Sequence, residues 1–211
     1  MVIKSLLTSV MAVASISGMS FAVQAQESAF EKRVNESKDT SFSYRWIELD
    51  YVTRGDDNYS NDRDADGFRV DFSVPVIDQF SVIGDLTTYS NKYVDTLKLS
   101  GGTSYHLNIG SLSTVTALDK MDGVIHAEIE YYNPDCKGCD TEVGLYTGLE
   151  ARYWAADGLE VYADLSIRTA YNNNLFFSGG VRWAALDTIQ LTAGFTLADA
   201  DELYIGGRFN F

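Results

Sequence analysis

Proline and long hydrophobic runs are both scarce in this chain. It has only 2 Pro in 211 residues, and beyond the N-terminal segment no apolar run reaches about 18 residues, the length that a membrane-spanning helix needs. Any membrane span of the mature chain must therefore consist of strands. The aromatic content, 13 Tyr, 11 Phe and 3 Trp, also favours strands, because aromatic residues are enriched in sheets and Pro is depleted there.

Basic residues are few as well. The chain has 16 Lys and Arg against 30 Asp and Glu, a formal net charge of −14. Nucleic-acid binding needs clustered Lys and Arg, so no nucleic-acid partner is predicted. The acidity is compatible with divalent cations at a lipopolysaccharide-bearing surface, and a solvated surface explains it equally well.

The first 25 residues have the pattern of a cleavable signal peptide. Lys4 supplies a basic start, the stretch Leu6–Val23 is apolar apart from small polar residues, and Val23 and Ala25 are small residues at the positions that signal peptidase requires. We expect cleavage after Ala25 and export through the inner membrane. Residues 26–40 are polar and charged without a strong period, which indicates a short periplasmic tail.

From residue 41 to residue 211, apolar and polar residues alternate in short segments separated by Gly, Asn, Asp or Pro, as in an all-β meander. Asp164 and Arg168 lie in one such segment, on the face opposite Leu165. Charges in mid-strand suit a barrel lumen, although a soluble antiparallel sheet with one wet face also alternates. We predict an all-β, antiparallel up-and-down transmembrane β-barrel of about ten strands, within a range of about 8 to 12. The strands are predicted at Phe42–Arg54, Gly67–Val76, Phe80–Tyr89, Val94–Leu107, Val124–Tyr132, Glu142–Trp154, Leu159–Tyr171, Leu175–Ala184, Thr188–Leu197 and Glu202–Phe211.

The last predicted strand ends on an aromatic residue. Leu203, Ile205, Phe209 and Phe211 share one parity, and a terminal Phe on such a strand looks like the sorting signal that the outer-membrane barrel insertion machinery reads. The predicted location is therefore the bacterial outer membrane, with its lipids and lipopolysaccharide and the insertion machinery as partners, and with the chain as a monomer.

Connection lengths predict the topology. Both termini are expected in the periplasm, so odd-numbered connections lie outside, and two of them, Gly55–Asp66 and Asn133–Thr141, are long. The periplasmic connections are predicted to be short, at Ile77–Gln79, Ala155–Gly158 and Ala185–Asp187. Asn108–Gly123 is the exception, a long periplasmic connection unless Thr114–Lys120 extends the fifth strand through a bulge at Asp122 and Gly123.

Residues of inward parity carry charges of both signs. A barrel of about eight strands is filled by its own side chains, whereas wide channels appear at roughly sixteen. We therefore predict a lumen cross-linked by charge-assisted hydrogen bonds, with a narrow porin-like channel as the alternative. The predicted lumen charge network consists of Glu48, Asp50, Arg69, Asp71, Lys98, Glu128, Glu130, Glu150, Arg152, Asp164, Arg168, Arg182 and Arg208.

The only two histidines have inward parity on neighbouring predicted strands. Ser104, Glu128 and Glu130 share the face of His106 and His126, so a Ser, His and carboxylate grouping can be written down. No local motif accompanies these residues, and a lumen His bonded to a carboxylate is the more ordinary state. The prediction is a protein that is not an enzyme, with no catalytic residues, and an outer-membrane hydrolase is the second alternative.

The only two cysteines form one motif, Cys136-Lys137-Gly138-Cys139, in a predicted outer loop. A redox pair would open a helix, and none is predicted after this motif. A zinc site would need a second pair. We predict a structural disulfide, as suits an oxidising compartment.

An acidic string in the first outer loop matches half of a calcium-binding loop. Asp62, Asp64 and Asp66 are spaced two apart and precede Gly67. Position twelve of such a loop falls on Ser73 where a Glu is needed. Weak calcium binding is a hypothesis beside a solvated acidic loop, and no other cofactor is predicted.

Three segments resemble the beginning of a known family. YRWIELDYV at residues 44–52, DADGFRVDFSVPV at 64–76 and QFSVIGDLTTYS at 79–90 are similar to the Ax21-like family of small exported outer-membrane β-barrels of Gram-negative bacteria. The similarity covers the first three predicted strands and extends further only in rhythm, and the CxxC loop and the Asn108–Gly123 connection depart from it. The resemblance implies a barrel without catalytic residues. The predicted function is a structural or surface-interaction role through the extracellular loops.

Overall fold

The described part of the chain consists almost entirely of strands. The structure is a computed structural model, and it describes residues 42–55, 65–91, 94–107, 109, 120–135, 139–170, 174–198 and 201–211. These residues belong to one compact unit, Phe42–Phe211. The ten strands are β1 (Trp46–Gly55), β2 (Ala65–Ile77), β3 (Phe80–Ser90), β4 (Asp95–His106), β5 (Met121–Asp135), β6 (Glu142–Ala156), β7 (Leu159–Arg168), β8 (Asn174–Leu186), β9 (Ile189–Leu197) and β10 (Asp201–Asn210).

The strands form a closed barrel in sequence order. Each strand pairs antiparallel with its neighbours along the chain, and β1 pairs with β10 through an unbroken register from Trp46 opposite Asn210 to Gly55 opposite Asp201. A closed ring leaves no strand edge unpaired. The predicted fold and the predicted number of strands are confirmed. In the ranges given above, no helix has the length and apolar character needed to cross a membrane.

The two ends of the barrel differ in their connections. At one end, two-residue turns join β2 to β3, β6 to β7 and β8 to β9, each directly after a one-residue shift in register. Gly158, in the second of these turns, has a φ of 71°, a conformation that residues with a Cβ rarely adopt. We call this end the short-turn end, although its fourth connection, residues 107–120 between β4 and β5, is the longest between two strands of the barrel. The opposite, long-connection end includes the segments 56–64 and 136–141, whose lengths fit the predicted topology.

Most predicted strand boundaries differ from the observed ones by a few residues, and two of these differences affect the barrel interior. The first strand begins at Trp46 and not at Phe42, because Phe42 and Tyr44 turn away from the sheet into the barrel interior. The fifth strand begins at Met121 and has no bulge, since Asp122 and Gly123 pair with β6 in regular register. Of the segment that was expected to extend this strand, residues 114–119 lie outside the described ranges.

Strand alternation separates the barrel into two chemically distinct faces. The inner face buries charged side chains such as those of Glu160 and Arg208. The outer face exposes large apolar side chains such as those of Ile129 on β5 and Ile205 on β10. Because successive residues of a strand point to opposite faces, each strand contributes to both surfaces.

Candidate functional site: the charged lumen

All residues of the predicted charge network lie on the inner face of the barrel. Their side chains are between 0% and 22% exposed. Charged groups with so little access to water need partners of opposite charge, because an isolated buried charge is strongly disfavoured. The ion pairs fall into two main clusters, one toward each end of the barrel.

The first cluster is centred on Glu160 of β7 and lies toward the short-turn end. Arg152 donates from Nε to Glu160 Oε1 at 2.9 Å and from Nη2 to Glu160 Oε2 at 3.0 Å. Arg182 donates from Nη1 to Glu160 Oε1 at 2.6 Å. Arg208 bonds to Glu48, and Arg182 Nε lies 3.9 Å from Glu48 Oε2. We call these five residues the Glu160 cluster, and they connect β6, β7 and β8 to β10 and β1 across the interior.

Aromatic rings support the guanidinium groups of this cluster. Arg182 Cζ lies 3.8 Å from the ring centroid of Tyr162, and Arg208 Cζ lies 3.8 Å from that of Trp46. A cation over an aromatic face is favourable, and more so when water is excluded. The rings therefore help to fix the side chains that close this part of the lumen.

The second cluster lies toward the long-connection end and is less buried. Arg69 donates from Nη2 to Asp50 Oδ2 at 2.6 Å, and its Nε lies 3.0 Å from Asp71 Oδ2. Lys98 Nζ lies 3.0 Å from Asp85 Oδ1. We call Asp50, Arg69, Asp71, Asp85 and Lys98 the Arg69 cluster.

A further ion pair links β5 to β7. Arg168 Nε lies 2.6 Å from Glu130 Oε2, and its Cζ lies 4.3 Å from the ring centroid of Phe176. Glu130 has no exposed side-chain surface. The pair therefore joins two strands that are not neighbours in the sheet.

Sequence reasoning did not include several charged residues of the inner face in the network. Glu160 shares the parity of Asp164 on β7, so alternation alone could have identified it. Asp85 lies on β3, where the adjacent apolar residues Val82 and Ile83 point to opposite faces, so the alternation of apolar and polar residues is weak there. Asp122 falls in the predicted periplasmic connection Asn108–Gly123, or in a bulge in the alternative, and its place on the inner face follows from the longer β5.

The Ser, His and carboxylate grouping that the sequence allows does not form in the structure. His106 Nε2 lies 3.1 Å from the hydroxyl of Ser81 on β3, whereas Ser104 is the register neighbour of His126. The Nδ1 atom of His106 has no hydrogen-bond partner in the described residues. A catalytic Ser–His pair needs a third group to orient the imidazole, and within the described ranges no such group bonds to His106.

His126 has the opposite surroundings. Its Nε2 lies 3.1 Å from Asp164 Oδ2, and its Nδ1 lies 3.4 Å from Glu128 Oε1. Ser100 donates to Glu128 from the neighbouring strand. Both imidazole nitrogens therefore face carboxylates, which is the arrangement of a lumen ion pair and leaves no nitrogen to activate a nucleophile.

A cavity of about 230 Å³ lies inside the barrel between the two clusters. Its wall includes His106 and Arg152 toward the short-turn end, and Lys98 and Glu202 toward the other end. The volume is below the range of about 300–1,000 Å³ that is usual for small-molecule sites.

The other predicted sites are only partly within the described ranges. Cys136, Asp62 and Asp64 lie outside them. Cys139 is not a free cysteine, and Asp66 is an exposed residue near the start of β2. Among the residues described, no group of His, Cys, Asp and Glu has the geometry of a metal site. Phe211 follows β10, is 59% exposed, and donates its backbone N–H to the Arg45 carbonyl at 3.2 Å.

No protein-family model and no curated protein matches this sequence. Solved structures are similar at low identity. A KdgM porin in complex with disordered oligogalacturonate is 7% identical, with a TM-score of 0.43, covering 78% of this chain and 99% of its own. The translocator domain of the autotransporter NalP from Neisseria meningitidis is 10% identical, with a TM-score of 0.45, and the match covers 97% of this chain and 98% of that domain. The N-terminal β-barrel domain of Pseudomonas aeruginosa OprF is 11% identical, with a TM-score of 0.41, and the match covers 81% of this chain and 100% of that domain.

Proposed function

We propose that this chain is a small, monomeric outer-membrane β-barrel with a charge-filled lumen and a structural or surface-interaction role through its extracellular loops. The observation that carries the proposal is the Glu160 cluster, which joins opposite walls of the barrel through buried ion pairs. The resemblance of the first three strands to the Ax21-like family agrees with this role. No family model matches the chain, so the resemblance stands without that support.

The outer face supports the membrane assignment. Exposed apolar surface on the scale seen here is rare in soluble monomers. The acyl chains of a bilayer can cover such an apolar surface. They cannot form hydrogen bonds with backbone groups, and in a closed barrel these groups pair with one another. Lipids and lipopolysaccharide are therefore the proposed partners, after export and delivery to the insertion machinery. Every strand exposes at least one large apolar side chain, among them Leu49, Phe68, Val82, Leu99, Ile129, Leu149, Leu165, Phe177, Leu191 and Ile205.

The surface-interaction role rests on the long-connection end. Segments 56–64 and 136–141 are longer than the two-residue turns of the opposite end, and binding residues collect on loops that a rigid scaffold presents. The proposed disulfide between Cys136 and Cys139 and the proposed weak calcium site at Asp62, Asp64 and Asp66 belong to these segments or border them.

The proposal is tested by the conductance of the mature chain in a planar bilayer. The chain is refolded in detergent, and its fold is checked by β content and by heat-modifiable migration on gels. We expect the folded wild-type chain to produce no discrete current steps, because the Glu160 cluster narrows the bore and the side chains of Phe42 and Tyr44 lie across its short-turn end. A general porin added at the end of each recording controls for the sensitivity of the bilayer. Reproducible steps from the folded wild-type chain would contradict the proposal.

A narrow channel is the second candidate, and the cavity favours it. On the described inner face, carboxylates outnumber Lys and Arg, so a conducting lumen would prefer cations. The acidic residues are Glu48, Asp50, Asp71, Asp85, Asp122, Glu128, Glu130, Glu142, Glu150, Glu160, Asp164 and Glu202. The basic residues are Arg54, Arg69, Lys98, Arg152, Arg168, Arg182 and Arg208.

A further inference from the structure

The short segment that precedes β1 crosses the lumen at the short-turn end. In the ring of ten strands, β1 and β6 are five positions apart in either direction, so they face each other across the bore. Phe42 and Tyr44 nevertheless contact side chains of β4, β5 and β6. The segment from Phe42 to Tyr44 must therefore span the interior before the chain joins the wall at Trp46.

Phe42 packs against β6. Its ring centroid lies 5.6 Å from that of Trp154, and Arg152 Cζ lies 4.7 Å from the Phe42 ring. Phe42 and Trp154 are each only 8% exposed. These contacts remove apolar surface from water near the end of β6, at the short-turn end of the barrel.

Tyr44 packs against β4 and β5. Its ring centroid lies 3.8 Å from that of His106, and its hydroxyl donates to Asp122 Oδ2 at 2.9 Å. Burial, together with the neighbouring Asp122 carboxylate, raises the pKa of Tyr44 above its ordinary value. The hydroxyl therefore remains a donor to Asp122 throughout the neutral range.

Hydrogen bonds also hold the segment to the strands next to β1. Ser73 of β2 donates its hydroxyl to the Tyr44 carbonyl at 2.8 Å, and the Phe211 N–H donates to the Arg45 carbonyl at 3.2 Å. His106 and Arg152, which Tyr44 and Phe42 cover, line the cavity directly behind them.

We propose that Phe42–Tyr44 is a stopper, a segment that keeps the lumen closed at the short-turn end and whose release opens the barrel to ions. The inference rests on the proposed function in one respect, namely that the chain is a membrane barrel. The stopper is held by two rings and a few hydrogen bonds, whereas the Glu160 cluster is held by several buried ion pairs between side chains of the strands. The stopper is accordingly the part of the closure that can move without unfolding the strands.

The test compares planar-bilayer conductance of the full mature chain with that of the double variant Phe42→Ala/Tyr44→Ala. We expect discrete current steps from the folded double variant in potassium chloride and none from the wild type. Ser43→Ala is the matched control, because among the described residues the Ser43 hydroxyl bonds locally to the Arg45 carbonyl, and it should behave as the wild type. If the double variant does not fold, the single variant Phe42→Ala, which keeps the Tyr44 contacts, carries the same expectation.

Silence from a heat-modifiable, correctly folded variant would overturn the stopper and leave the proposed function standing. Wild-type steps of the same size and frequency as those of the variant would also overturn it. Failure of the proposed membrane assignment has a separate signature, since the wild-type chain would then remain in the aqueous phase when mixed with lipid vesicles.

Discussion

The inner and outer faces of this barrel reverse the usual relation between polarity and burial. Glu130 is 0% exposed, whereas Ile129, the preceding residue of the same strand, is 66% exposed. In a soluble protein the carboxylate would lie outside and the isoleucine inside. The reversal indicates that the medium outside the barrel is apolar and that the interior supplies the polar partners.

The inner face is stabilised by pairing. Removing a carboxylate from water is strongly unfavourable, and ion pairing offsets the loss only when the geometry is good and the remaining hydrogen bonds are satisfied. Glu160 meets this condition by accepting from both Arg152 and Arg182. Asp71 pairs closely with Arg69 and keeps 22% of its side chain exposed.

The largest expected effect is at Glu160. Glu160→Gln removes the carboxylate that accepts hydrogen bonds from Arg152 and Arg182 and leaves these buried guanidinium groups only longer contacts, such as those to Glu150 at 3.8 and 3.7 Å. Breaking a buried pair in this way costs about 3–5 kcal/mol. Asp71→Asn is the matched control, because Arg69 retains Asp50, and we expect a loss of about 0–1 kcal/mol. Urea unfolding in lipid vesicles measures both. Equal losses would show that burial does not distinguish the two clusters.

An Arg on the outer face should have the next largest effect. Leu149 is 52% exposed near the middle of β6, and Leu186 is 63% exposed at the end of β8. For Leu149→Arg we expect a loss of about 2–4 kcal/mol in a bilayer, and for Leu186→Arg about 0–1 kcal/mol, because the penalty falls toward the interface. The same unfolding assay compares them. A Leu149→Arg chain as stable as the wild type would mean that this face is not in contact with lipid.

The smallest effect contrasts two adjacent glycines on opposite faces of β4. A Cβ at Gly102 would overlap the backbone of Ala127 and Glu128 on β5, whereas a Cβ at Gly101 meets no atom within 4 Å. Gly102→Ala should destabilise by about 1–3 kcal/mol through overpacking, and Gly101→Ala should change stability by less than about 0.5 kcal/mol. Thermal unfolding in detergent micelles ranks the two variants. The reverse order would contradict the close strand approach at Gly102.

The barrel was largely predictable because its pattern is local. Alternation over β2 and β7 identifies both faces from the sequence alone, and turn residues such as Asp157 and Gly158 mark the hairpin ends. The same parity places Arg152 and Arg182 in the lumen.

The rest depends on contacts between residues far apart in sequence. Tyr44 shares the inward parity of Trp46, so alternation predicts its face, but only its contacts with His106 and Asp122 show that the chain leaves the wall before β1. Similarly, the partner of His106 is Ser81 and not Ser104, because the register between β3 and β4 decides which hydroxyl approaches the imidazole. Strand parity gives the face of a residue, and it does not give its partner.

The most direct test of the account uses the three tryptophans. Trp183 is 54% exposed on the outer face, Trp154 is 8% exposed inside the barrel, and Trp46 lies beneath Arg208 in the lumen. Chains that retain one Trp each, with the other two replaced by Phe, are folded into vesicles that contain lipids with brominated acyl chains. The account predicts strong fluorescence quenching of the chain that retains Trp183, and little quenching of the chains that retain Trp46 or Trp154. Quenching of either lumen Trp as strong as that of Trp183 would contradict a barrel with a lipid-facing exterior and a closed, charged interior.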